Sequence, residues 1–202
     1  MIMYRKLLLI TFILLSPLSH ASETLIENLK KIDATGTTPN AAYKLGRFYR
    51  EAPDGQQDCE ASVRWFTRSA DLGSVDAINE LGKIYGKGCG TVTKDYKKSE
   101  AYLTQAAELG LDTAQNNLGF LLIRGWGGNG RKQEGLNWLL KAADQGYVSS
   151  YFNLGYVYHY GLAGRTDLTA AETWYQKAVQ GGHKKAGKHL EKLHKDILAS
   201  RH

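Results

Sequence analysis

Apolar residues along this chain recur at helical spacing, and the helical runs come in pairs. From Ala114 the chain runs Ala114-Gln115-Asn116-Asn117-Leu118-Gly119, stays apolar to Ile123 and breaks at a Gly-rich stretch from Gly125 to Gly130. It resumes at Gln133 with a second amphipathic run carrying Trp138, Lys141-Ala142-Ala143 and a closing Gly146. The Leu-Gly pair returns at Leu45-Gly46, Leu81-Gly82, Leu118-Gly119 and Leu154-Gly155, with spacings of 36, 37 and 36. The large aromatic of the second run keeps the same beat at Trp65, Tyr102, Trp138 and Trp174. Two landmarks sharing one period of this length predict stacked supersecondary units, each unable to bury its apolar face alone. The predicted fold is all-α.

Within each unit one physical scheme applies. Leu81 and Tyr85, four residues apart, share a helix face. The Gly after each Leu admits a neighbouring helix, and the small residue three before the large aromatic (Ser62, Ser99, Gly135, Ala171) does the same on the second helix. Gly73, Gly110, Gly146 and Gly182 stand where a helix closes in the left-handed conformation. The aromatics of the second helix are expected to carry the stack, each contributing about 2–3 kcal/mol on burial.

The pattern Ala-x-x-x-Leu-Gly-x-x-Tyr, Gly-rich loop, aromatic, Lys-Ala-Ala, Gly resembles the Sel-one-like (SEL) repeat, a relative of the tetratricopeptide repeat. Ala77 to Gly110 matches it best, with Ala77, Leu81, Gly82, Tyr85, Gly86, Gly88, Asp95, Tyr96, Ala106, Ala107 and Gly110 in place. The resemblance implies a right-handed α-solenoid of helix-turn-helix repeats with capping helices. It implies protein binding and says little of any activity.

The ends of the chain change the picture. Arg5 and Lys6, the apolar run Leu7 to Leu15 and Ser19-His20-Ala21 form an export signal cleaved after Ala21, too short to span a bilayer, which needs roughly 20 apolar residues. Residues 22–36 are expected to form an N-terminal capping helix, 37–183 four repeats and 184–202 a C-terminal capping helix. Lys184, Lys185, Lys188, Lys192, Lys195 and Arg201 make that last element basic, either as a polar cap that ends the stack or as a patch for a membrane surface or acidic partner. Loss of Arg5 and Lys6 takes the net charge from +6 to +4, too weak and dispersed to argue for nucleic acid. The mature protein is expected in the periplasm.

Candidate chemistry is sparse. Cys59 and Cys89 are the two cysteines of an exported chain and fall on the loop edge of adjacent repeats, which favours a disulfide over two free thiols. Cysteine-rich SEL proteins staple helices within one repeat, whereas this pairing would cross between repeats. Gly125 to Lys132 fails as a phosphate loop, because Arg131 replaces its lysine and a helix precedes it. His189 and His194 are five apart with no Glu between them, and His159 and His183 stand alone, so no metal spacing forms. No catalytic constellation and no cofactor motif emerges.

By analogy with tetratricopeptide geometry, the residues two before and two after each Leu face a concave groove. They are Tyr43 and Arg47, Asn79 and Lys83, Asn116 and Phe120, Phe152 and Tyr156, with Arg50, Ile123 and His159 one turn on and Trp126 and Tyr160 near the rim. Exposed aromatics there await a partner, or else Phe120 and Phe152 pack between repeats. The expected function is protein binding. The resemblance points most specifically to an immunity protein neutralising a type VI secretion effector of the phospholipase class. An envelope scaffold, signalling regulator or host-interaction factor is the alternative, and a hydrolase like some cysteine-rich relatives a weaker one.

Overall fold

The computed structural model describes Glu27 and residues 38–52, 57–128 and 130–199. The expected export signal lies outside the described residues, as does the expected N-terminal helix apart from Glu27, which is helical. From residue 38 onward the described residues form α1 (Pro39–Glu51), α2 (Cys59–Asp71), α3 (Val75–Lys87), α4 (Tyr96–Glu108), α5 (Asp112–Arg124), α6 (Lys132–Asp144), α7 (Val148–Tyr160), α8 (Leu168–Gln180) and α9 (Ala186–Ala199). The only β pairing among the described residues is an isolated bridge between Cys89 and Val92. The fold is an all-α repeat.

The helices start and stop where local chemistry dictates. Asp58, Asp95 and Asp167 each accept a hydrogen bond from the backbone N–H three residues on, at 2.7, 3.0 and 2.9 Å, satisfying a donor that the first helical turn leaves open. The third repeat has Arg131 at this position and no side-chain cap. Each second helix closes through a glycine at φ between 77° and 93° (Gly73, Gly110, Gly146, Gly182), as expected. Around Gly110, for example, Gly110 N–H donates to Ala107 O and Leu111 N–H to Ala106 O. A side chain at that φ would crowd the following carbonyl, so glycine is the low-cost solution.

The described residues divide into two compact units, those up to residue 74 and those from residue 75 onward. In the first, α1 packs on α2, with Leu45 and Phe66 fully buried. In the second, α3 to α9 pack in chain order, and the first helices of successive repeats, α3, α5 and α7, meet along one side. The Leu-Gly motif does what its small residue allows. A Cβ on Gly82 would lie 2.7 Å from Leu103, one on Gly155 2.5 Å from Tyr175, and one on Gly119 2.7 Å from the Gly135 carbonyl. The facing small residues fit the same crossing, with Ser62 Oγ donating to Gly46 O at 2.8 Å and Ser99 Oγ to Gly82 O at 2.7 Å.

One expectation is corrected. Trp65, Tyr102, Trp138 and Trp174 are only half-buried, and the large side chain that each second helix buries is the next residue: Phe66, Leu103, Leu139 and Tyr175, all 0–3% exposed. Helical geometry explains it. The buried stripe of α2 runs through Cys59, Ser62, Phe66 and Ser69, and Trp65 sits one residue, about 100°, away from it. The displaced aromatics instead pair with first-helix tyrosines and with lysines of their own helices. Tyr85 stacks on Tyr102 at 5.8 Å and Tyr151 on Trp174 at 5.8 Å, while the Lys141 and Lys177 ammonium groups lie over Trp138 and Trp174 at 4.1 and 4.5 Å.

The final helix docks through Ala186 and Leu193, both fully buried, with Leu190 and Ile197 beside them against Ala171 and Tyr175 of α8. Among the described residues no helix is long and apolar enough to cross a membrane.

Candidate functional site

Asn79 and Asn116, predicted to line a groove, join Asn117 and Asn153 in one hydrogen-bonded chain across three helices. Asn153 of α7 donates to Asn116 of α5 at 2.7 Å, Asn116 to Asn117 at 3.4 Å, Asn117 to Asn79 of α3 at 3.3 Å and Asn79 to Thr113 at 3.4 Å. Asn79 and Asn116 are buried and Asn153 half-buried, so these amides hold successive first helices in register as well as facing the side where they meet. Buried amides are costly unless paired, and here each finds its partner in the next repeat.

Beside this chain lies a cleft of about 280 Å³ between α3, α4 and α5, floored by Gly82, Gly86 and Leu103 and walled by Tyr96, Phe120 and Trp126. Trp126 stacks on Tyr96 at 5.6 Å and meets Phe120 edge-on at 6.0 Å, with the Arg124 guanidinium 5.4 Å from the Trp126 ring. Trp126 is still 43% exposed, an indole of the interface-anchor type partly presented to solvent. A second, more open cleft of about 820 Å³ adjoins it, sharing Lys87 and Asn153 and reaching Phe152, His183, Lys184 and Lys185.

The remaining candidates divide. Tyr43 and Arg47 belong to the first unit: Tyr43 leans on Phe66 at 5.5 Å, and Arg47 grips Glu51 at 2.8 Å, which holds that carboxyl below its usual range. Lys83 pairs with Glu80 at 2.7 Å. Ile123, expected along the groove, is buried instead, because the missing side chain at Gly135 lets it fill the crossing of α5 and α6.

Phe152, Tyr156 and His159 point into a junction with α8 and α9. Phe152 stacks on His183 at 4.3 Å and meets His189 edge-on at 5.0 Å, Tyr156 packs with Tyr160 at 4.6 Å, and His159, 5% exposed, bonds Asp196 through Nε2 at 3.0 Å. His159 and His189, far apart in sequence, thus both lie beside Tyr175, at ring-centroid distances of 6.0 and 5.8 Å. Burial, foremost, pushes the His183 and His189 pKa values down. Lys192 bonds both the Tyr160 hydroxyl and Asp196, which raises its pKa and fastens α9 to α7. The periodic count missed this cluster because its members come from three helices and a loop. The signal it carried was the aromatic density of Tyr151 to Tyr160 beside three histidines.

Cys59, buried at the start of α2, and Cys89, after α3, are both disulfide-bonded. That accords with an oxidising compartment.

Paired helices repeated at constant length, presenting amides and aromatics along the first-helix side, define a helical-repeat protein. A family model for the Sel1 repeat matches residues 39–74, 75–111, 112–147 and 148–183, and the chain belongs to that family. No curated protein matches it. Among solved structures it is similar to a Sel1 repeat protein from Oxalobacter formigenes, at TM-score 0.66 and 24% identity, covering 88% of this chain and 64% of that one. It is similar as well to the immunity protein Pa5087 from Pseudomonas aeruginosa, at TM-score 0.53 and 23% identity, covering 80% of this chain and 59% of that one. The chain therefore spans under two thirds of either relative, and the likeness is one of fold.

Proposed function

We propose that this protein works in the periplasm by binding another protein on the α3–α5–α7 side, and that the partner is a secreted effector enzyme of the phospholipase class, which it neutralises. In this reading residues 1–21 are a cleaved export signal, 22–36 an N-terminal cap, 37–183 the repeats and 184–202 a C-terminal cap. The observation that carries it is the aromatic-walled cleft joined to the amide chain, with Trp126 left 43% exposed. Rigid, amphipathic aromatics around a concavity are the usual anchors of protein interfaces. The likeness to an immunity protein supports the specific role, and the disulfide-bonded cysteines support export.

The test is a killing assay. Cells producing the chain with its own leader are challenged by a strain that delivers a phospholipase effector through type VI secretion. Producing cells should survive in excess, Trp126→Ala should reduce that excess, and the purified periplasmic form should begin at Ser22. Equal killing of producing and non-producing cells across a panel of such effectors would remove the immunity role.

A further inference from the structure

The two adjoining clefts are lined by Lys83, Lys87, Lys184 and Lys185 and by no Asp or Glu. Glu80 answers Lys83, whereas Lys87, Lys184 and Lys185 form no ion pair among the described residues and are exposed. A positive strip therefore runs from the aromatic wall at Trp126 to the segment that enters α9. Between them, Asn116, Asn117 and Asn153 each spend one amide hydrogen on a neighbouring residue. Each side-chain NH₂ keeps a second donor. An apolar pocket at one end, fixed amide donors in the middle and unanswered cations at the other describe the complement of a polypeptide strand.

We propose that this face takes an extended acidic segment of the partner protein. One aromatic or large apolar side chain seats against Trp126, Tyr96 and Phe120, backbone carbonyls meet the asparagine amides, and carboxylates beyond them meet Lys87, Lys184 and Lys185. Helices pack about 8–10 Å apart, so crossing α3, α5 and α7 takes roughly 20 Å, or about six residues of extended chain. The charges contribute chiefly to the rate of encounter, and the anchor to the lifetime of the complex. This inference rests on the α3–α5–α7 side being the partner-binding surface.

The experiment measures fluorescence anisotropy of labelled hexapeptides on the full mature chain. The probe peptide has an N-terminal phenylalanine followed by five residues rich in glutamate. Controls replace the glutamates with glutamine, replace the phenylalanine with alanine, or substitute an oligothymidylate or phosphatidylglycerol vesicles. The acidic aromatic peptide should bind, and either replacement should weaken it at least tenfold. Trp126→Ala and Lys184→Glu with Lys185→Glu should do likewise with unchanged circular dichroism, and affinity should fall as salt rises. Equal binding of the glutamine peptide, tighter binding of the oligonucleotide or vesicles, or indifference to the lysine substitutions overturns the proposal. Loss of peptide binding by Trp126→Ala alongside full protection in the killing assay would sink the shared surface. Protection that needs Trp126 but ignores the lysines would sink the acidic segment alone.

Discussion

Gly119→Ala sets local preference against tertiary packing. In an isolated helix the change would stabilise by roughly 0.8–1 kcal/mol, because alanine loses less backbone entropy on becoming helical. In the fold, a Cβ at residue 119 would lie 2.7 Å from the Gly135 carbonyl oxygen, 2.9 Å from Leu139 Cγ and 3.0 Å from the Leu139 nitrogen. A C–H···O contact needs roughly 3.3–3.6 Å, so α5 and α6 must part by about half an ångström or more. The obstruction is mostly backbone, and no rotamer change relieves it. Overpacking of this kind costs about 1–3 kcal/mol, which offsets the propensity gain and leaves a net loss of up to about 2 kcal/mol. Gly187 is the control: it is exposed near the start of α9, with nothing within 4 Å of an added Cβ. Gly187→Ala should stabilise by a few tenths to about 1 kcal/mol. Urea and thermal melts followed by far-UV circular dichroism read both, and the Gly119 variant should melt below wild type, by up to about 8 °C. If Gly119→Ala melts at or above wild type while Gly187→Ala stabilises, glycine at 119 does not serve the close crossing of α5 and α6.

Three further outcomes are expected. Tyr175 is fully buried with no hydrogen-bond partner for its hydroxyl among the described residues, so Tyr175→Phe should stabilise by about 1 kcal/mol, and a loss would show that the hydroxyl is satisfied. His183 and His189 titrate below the ordinary 6.5 when folded, so between pH 7.5 and 5.5 the unfolded chain takes up protons that the folded chain does not. Stability should fall across that window by linkage, a double His→Phe variant should flatten the fall, and a urea midpoint that holds steady or rises on acidification would refute it. Disulfide-bonded Cys59 and Cys89 lie 30 residues apart in sequence. A closed loop of that size is worth roughly 3–4 kcal/mol in the chain-entropy account, so reductant should lower the wild-type Tm and leave the Cys59→Ser, Cys89→Ser variant unmoved. Thiols titrating in the native, air-exposed protein would contradict this.

Residue periodicity alone settled the class of fold. The recurrence of Leu-Gly and of a closing glycine imposes helices of constant length with small residues at each crossing, and these demands are local enough to be written in the chain. Periodicity placed the large aromatics one residue off the buried stripe. A regular beat marks equivalent positions but not which face they occupy, and Phe66, Leu103, Leu139 and Tyr175 took the interior because they continue the stripe through Ser62, Ser99, Gly135 and Ala171. The amides of Asn79 and Asn116 could be assigned to the first-helix side from spacing, but their mutual hydrogen bonds depend on the register between helices, which sequence does not carry. The same holds for the junction of Phe152, His159, His183, His189 and Tyr175. Their pairing is decided by how α9 docks, and docking depends on side chains from several elements filling one space at once.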